Sequence, residues 1–171
     1  INNYGYFGTG NFNEKTAKIY SDFGLFTTDK RLIDESEELF KYLSGRIENY
    51  KFEHLLIAHF NMRKSFNKLI DNEISNAKKG KKAEIIIKLN SLEDWKIINK
   101  LYEASNAGVN IKMIIRGICC LIPGVKGFSE NIKVISIVDK YLEHMRFFVF
   151  HNGGKEKIYS GSADWMRRNL N

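Results

Sequence analysis

Beyond Phe52 the apolar residues fall into a repeating two-part pattern. The run His54-Leu-Leu-Ile-Ala58 predicts a strand, and Phe66, Leu69, Ile70, Ile74 and Ala77 follow at the spacing of a helix face, which Gly80 closes. The unit then recurs. Glu84-Ile-Ile-Ile-Lys-Leu89 predicts a second strand, and Ser91 is the expected cap of a helix carried by Leu92, Trp95, Ile98, Leu101 and Tyr102 and ended by Gly108. Asn110-Ile-Lys-Met-Ile-Ile115 predicts a third strand. Strands alternating with helices at this spacing pair in parallel, so the pattern predicts an α/β fold with a mixed, largely parallel sheet flanked by helices.

The chain then enters a long connection, Arg116-Gly-Ile-Cys-Cys-Leu-Ile-Pro-Gly124, which holds its only proline, before extended structure is expected again over Ile132 to Val138. Long loops in this position commonly carry ligands. Two last strands, Arg146 to Phe150 and Lys157 to Ser160, flank Asn152-Gly153-Gly154 and predict a hairpin, with His144 and Ser162 near its open end. The first fifty residues read differently. Two β-rich, glycine-containing stretches, Tyr4 to Gly10 and Lys18 to Phe26, precede a helix from about Arg31 to Leu43 that ends at Gly45. Residues 1–50 therefore read as the tail of one domain and residues 51–171 as most of a second, with the boundary between Arg46 and Phe52. The absence of an initiator methionine and the stop at Arg-Asn-Leu-Asn lead to the expectation of a piece of a longer protein.

Composition narrows the class. With 171 residues and 43% hydrophobic content the chain can bury one sizeable core. No run reaches the roughly 18 apolar residues of a membrane span, and INNYGYFG lacks the basic-then-apolar order of a signal peptide, so a cytoplasmic protein is expected. Adjacent Cys119 and Cys120 suit neither an ordinary disulfide nor a metal-ligand spacing; they are expected to be small buried residues without redox chemistry. The net charge of +7 favours anionic partners, namely phosphates, nucleic acid or acidic lipid headgroups, without choosing among them. The densest basic run, Lys78-Lys79-Gly80-Lys81-Lys82, sits where a helix should end and suits its dipole.

Candidate chemistry gathers near the end of the chain. An extended segment projects residues i and i+2 to one side, so His144 and Arg146 can face one phosphate, while the hydroxyl of Ser162 and nearby turn amides add donors. A histidine beside an apolar strand is also a common structural residue. The turn Gly161-Ser162-Ala163-Asp164 has an earlier echo in Gly8-Thr9-Gly10-Asn11. The order of histidine, basic residue, strand and Gly-Ser turn resembles half of a phospholipase D-like active site, with arginine in place of the usual lysine.

Longer blocks extend the resemblance over essentially the whole chain. FGTGNFNEKTAKIYSDFGLFT, LYEASNAGVNIKMIIRGICCLIPGVKG, SENIKVISIVDKYLEHMRFFVFHNGG and SADWMRRNL are similar to the C-terminal catalytic region of bacterial polyphosphate kinases. That resemblance implies a phospholipase D-like fold in two catalytic halves. It also implies reversible transfer of the terminal phosphate of ATP to inorganic polyphosphate through a phosphohistidine. The family's nucleophilic histidine lies in a His-x-Lys segment upstream of the Gly-Thr-Gly-Asn turn and so before this sequence. His144 matches the histidine that assists as acid or phosphate ligand. Arg116 matches an arginine used on nucleotide phosphates, and Tyr20 a tyrosine contacting the nucleotide. Implied partners are ATP, ADP and polyphosphate, with no nucleic acid, in a homo-oligomeric parent that uses Mg2+ on ligands upstream of Ile1. Asp22, Asp139 and Asp164 are expected as turn or ion-pair residues, and His54, His59 and His151 as structural or exposed. Two rival readings are another phospholipase D-like phosphodiesterase or phosphatidyl transferase and a noncatalytic polyanion-binding module.

Overall fold

The computed structural model describes residues 3–170. In the first segment, β1 (Gly5–Gly8) pairs antiparallel with β3 (Gly24–Thr27), and between them lie a single-turn helix α1 (Glu14–Ala17) and the two-residue strand β2 (Tyr20–Ser21). Helix α2 (Lys30–Leu43) follows, capped by the Asp29 side chain, which accepts from the Arg31 amide. The predicted helix is thus observed one residue earlier than expected, and Gly45 follows it with φ of 70°, a left-handed turn glycine is free to make.

The second segment holds α3 (Met62–Lys78), β4 (Glu84–Leu89), α4 (Trp95–Asn106), β5 (Asn110–Ile115), β6 (Ile132–Ile135), β7 (Leu142–Glu143), β8 (Arg146–Phe150), β9 (Lys157–Gly161) and α5 (Arg167–Leu170). Its five-stranded sheet has the order β6-β5-β4-β8-β9. β4 is parallel to β5 and β5 to β6, while β8 runs antiparallel to both β4 and β9, so four of the five strands point the same way. The expected α/β, largely parallel sheet is present, as is the β8–β9 hairpin.

Strand alternation decides where the core lies. Ile85, Ile87 and Leu89 of β4, Ile111, Met113 and Ile115 of β5, and Phe148 and Phe150 of β8 are buried on one face. There they meet Phe66, Ile70 and Ile74 of α3 and Ile97, Ile98 and Leu101 of α4 in one cluster. Phe66 is central to it, with its ring against Phe148, Phe150, Tyr159 and Trp165.

Four expectations fail locally. Residues 54–58 form no strand, because their polar backbone groups are claimed by side chains. The Glu35 carboxylate accepts the amides of Glu53, His54 and Leu55, and Asn61 takes the Ile57 amide and the Phe52 and Leu55 carbonyls. Few groups remain to form a ladder. The cap of α4 is Asp94, not Ser91: the Asp94 side chain accepts from Ile97 N, whereas Leu92 is still held in bridges to Cys119 and Trp165. The strand expected through Val138 stops at Ile135. Cys119 and Cys120 are exposed, since they lie on a connection that crosses the sheet end beside Leu92 rather than under a helix.

Candidate active site

In this fold the carboxyl ends of β4, β5 and β9 and the start of β8 lie at one edge of the sheet, the end where open α/β sheets take ligands. The segments leaving that edge supply Asn90, Arg116, His144, Arg146 and Asp164. The first segment reaches the same place through β2, which pairs in parallel with β7 so that Tyr20 lies opposite Leu142 and Ser21 opposite Glu143. The Ser21 carbonyl then accepts the amides of His144 and Met145, both at 3.2 Å. Tyr20 and Asp22, one residue either side of Ser21, therefore flank His144.

His144 is fixed at both ring nitrogens. Nδ1 lies 2.8 Å from Asp22 Oδ1, and Nε2 lies 3.2 Å from Nη1 of Arg146. An arginine nitrogen can only donate, so Nε2 is the acceptor and Nδ1 carries the proton given to Asp22. Asp22 is itself held by the Thr9 hydroxyl at 2.7 Å, and Gly10 leaves it room: a Cβ there would stand 2.5 Å from Asp22 Oδ2. The Tyr20 ring lies 4.9 Å from the His144 ring, centroid to centroid. An imidazole whose Nδ1–H is held by a carboxylate has its orientation and tautomer set, which is the arrangement required of a proton-transferring or phosphate-binding histidine.

Arg146 is buried and fully engaged. Its Nε and Nη2 reach the two carboxylate oxygens of Asp164, each at 3.2 Å, and its Nη1 also donates to the His144 carbonyl at 3.1 Å. Asp164 is buried as well, and its Oδ1 accepts the amides of Asn90 and Ser91. The arginine faces His144 as the spacing predicted, but its charge is met by Asp164.

Arg116 closes β5. Its Nε donates to Asn90 Oδ1 at 2.7 Å and to the Glu143 carbonyl at 3.1 Å, and its two terminal nitrogens have no partner among the described residues. Half a planar fork is thus anchored and the other half is left to bind oxygen anions. Lys88, near the end of β4, donates to the Met145 carbonyl at 2.9 Å and pairs with Glu143 at 3.3 Å. Burial pushes its ammonium below the ordinary value despite the opposing pull of Glu143. Ser162 is exposed on the turn after β9.

Of the residues chosen from sequence, the structure gathers Tyr20, Arg116, His144 and Arg146 at one edge, with Ser162 on an adjoining turn. Sequence reasoning named Asp22 only as a turn or ion-pair residue and Thr9 only within the earlier glycine turn, and it passed over Asn90 and Lys88. Asp22 had a signal in Tyr20-Ser-Asp22, whose alternation puts both residues on the side of one chemistry-bearing neighbour; Asn90 had none, being one polar residue after a strand. Among the remaining candidates, His54 pairs with Glu35, His151 is partly buried and His59 is exposed. Among the described residues no three His, Cys, Asp or Glu side chains converge to hold a metal ion, and Asp22 and Asp164 are occupied by Thr9, His144 and Arg146. No helix among the described residues is long and apolar enough to cross a membrane.

Comparison with known proteins agrees with the geometry. Residues 55–171 match the family described as polyphosphate kinase C-terminal domain 2, and residues 1–49 match polyphosphate kinase C-terminal domain 1. The chain is 53% identical over 167 residues to a polyphosphate kinase of Vibrio parahaemolyticus, covering 98% of this chain and 24% of that protein. It is 44% identical to the polyphosphate kinase of Escherichia coli K12, again over 98% of this chain and 24% of the relative. A crystal structure of polyphosphate kinase from Porphyromonas gingivalis superposes with a TM-score of 0.93 at 48% identity, covering 98% of this chain and 26% of that one. The chain thus spans about a quarter of the length of these relatives, and with both C-terminal domain descriptions matched in order it belongs to the polyphosphate kinase family.

Proposed function

We propose that this chain forms part of the active site of a polyphosphate kinase, a phosphotransferase that reversibly moves the terminal phosphate of ATP to inorganic polyphosphate through a phosphohistidine. Residues 1–50 are the end of the first phospholipase D-like catalytic half and residues 51–171 most of the second. The observation that carries the reading is the histidine held between two halves: His144 of the second, oriented by Asp22 of the first and backed by the Arg146–Asp164 pair.

The chemistry divides as follows. The P–O bond to ADP breaks and a P–N bond forms on the nucleophilic imidazole, which lies in the His-x-Lys segment upstream of this chain; the second transfer reverses the order with polyphosphate as acceptor. In its protonated form His144 keeps Nδ1–H on Asp22 and presents Nε2–H to an oxygen of the transferring phosphate or of the leaving group; in its neutral form Nε2 accepts. Arg116 holds phosphate oxygens with its terminal nitrogens, Ser162 adds a hydroxyl donor at the same edge, Arg146 backs the His144 ring rather than reaching the phosphate itself, and Tyr20 borders the nucleotide. The net charge of +7 suits ATP, ADP and polyphosphate as partners. The parent protein is a cytoplasmic homo-oligomer that uses Mg2+ on ligands outside this chain.

Incubation with labelled ATP and magnesium tests the assignment. A full-length kinase carrying this sequence is expected to acquire acid-labile, base-stable label and pass it to polyphosphate, while the 171-residue chain alone acquires none, because donors without a positioned nucleophile cannot form the covalent bond. Stoichiometric label on the isolated chain at His144 would make His144 the nucleophile. Hydrolysis of a phosphodiester by the full-length protein, without ATP-dependent labelling, would favour the phosphodiesterase reading instead.

A further inference from the structure

One buried polar residue, Asn90, bonds to Arg116, to the His144 backbone and to Asp164. Asn90 follows β4 and is 6% exposed. Its side-chain oxygen accepts Arg116 Nε at 2.7 Å, and its side-chain nitrogen donates to the His144 carbonyl at 3.4 Å. Its backbone amide donates to Asp164 at 2.8 Å, and Asp164 in turn holds the arginine that faces His144 Nε2. Its carbonyl accepts the amide of Gly117, the residue after Arg116, at 2.9 Å. Gly117 is the residue that permits this approach, since a Cβ there would lie 2.8 Å from the Asn90 carbonyl oxygen.

We infer that Asn90 is a positioning residue that couples nucleotide binding at Arg116 to the orientation of His144. The proposal rests on the functional reading above. Arg116 has a flexible side chain, and with its Nε tied to Asn90 only the terminal nitrogens are left to follow a phosphate. The amide that makes this tie makes the histidine contact with its other end, so a shift of Arg116 toward a ligand is carried to the backbone of His144. An amide suits the task because it carries its acceptor and its donor on two separate atoms, each free to take a different partner. A carboxylate would lose the donor, and a hydroxyl is too short to span both partners.

The test is a double-mutant cycle in the full-length kinase, reading kcat and KM for ATP. Asn90→Ala is expected to raise KM for ATP and lower kcat, each by about tenfold, in line with loss of a hydrogen bond to a charged group. In an Arg116→Lys background, where the Nε–H no longer exists, Asn90→Ala is expected to change KM by less than about threefold, because the interaction is already gone. Gly117→Ala, which crowds the Asn90 carbonyl without altering its amide, should reproduce the rise in KM in the wild-type background. Multiplication of the Asn90→Ala and Arg116→Lys effects on KM would overturn the coupling. So would variants that melt well below the wild type, since Asn90 would then serve folding alone. An unmutated kinase that fails to transfer phosphate from ATP would instead overturn the functional reading and leave the cause unmistakable.

Discussion

Removing Asp164 should be among the most damaging single changes at this site, and its cost can be worked from the structure. The side chains of Arg146 and Asp164 are each only 9% exposed, and they meet through two hydrogen bonds of 3.2 Å. In Asp164→Ala the guanidinium keeps its burial and loses its counter-charge, a change that costs about 3–5 kcal/mol. The amides of Asn90 and Ser91 lose their shared acceptor at the same time. For a chain of this size each kcal/mol moves the melting temperature by roughly 2–4 °C, so a fall of about 6–20 °C is expected. Thermal unfolding followed by circular dichroism measures it, and hydrogen exchange on peptides covering Leu89 to Leu92 should show the two amides exchanging faster. The double variant Asp164→Ala/Arg146→Met should recover much of the loss, because a buried apolar pair removes the stranded charge. A melting temperature for Asp164→Ala within about 2 °C of wild type, at the lower edge of what a single kcal/mol does, would refute the reasoning.

Two further outcomes follow from local geometry. Gly10→Ala should lower kcat by about tenfold or more while leaving the circular dichroism spectrum unchanged, because its Cβ would stand 2.5 Å from Asp22 Oδ2 and force that carboxylate off His144. The Arg63 guanidinium, bonded to both oxygens of Asp94 at 2.7 Å, holds that carboxyl below its ordinary 3.8 against the opposing effect of burial. A depressed folded-state value means stability that is complete above the unfolded value and is lost as pH falls through the folded one. Acid unfolding below about pH 4 should therefore be less steep in Arg63→Met than in wild type, a difference read from melting temperatures between pH 2 and pH 5.

How much of this was legible in the sequence depends on where each backbone group finds its partner. The strands Glu84–Leu89 and Asn110–Ile115 and the β8–β9 hairpin announced themselves because alternation and an Asn-Gly-Gly turn are local signals. His54 to Ala58 has the same apolar look, yet its amides go to Glu35, nineteen residues away in the case of His54, and no local pattern reports that. His144 and Arg146 could be chosen from their spacing, and Arg116 and Tyr20 because resemblance named them. Asp22 was expected as a turn or ion-pair residue, but its partner could not be named because it lies 122 residues further on, brought near only by the two-residue pairing of β2 with β7. Arg146 was assigned to phosphate from its spacing to His144, but the carboxylate that meets it, Asp164, comes from the end of another strand.

The central claim is that His144 acts on the phosphoryl group within a site shared by two halves. Polyphosphate synthesis from ATP by the full-length kinase with His144→Ala tests it most directly. A positioned general acid contributes about 10²–10⁴ in rate, so kcat should fall at least about 100-fold while the melting temperature stays near that of wild type. A folded His144→Ala enzyme that makes polyphosphate within about twofold of the wild-type rate, against that expected fall, would contradict the account.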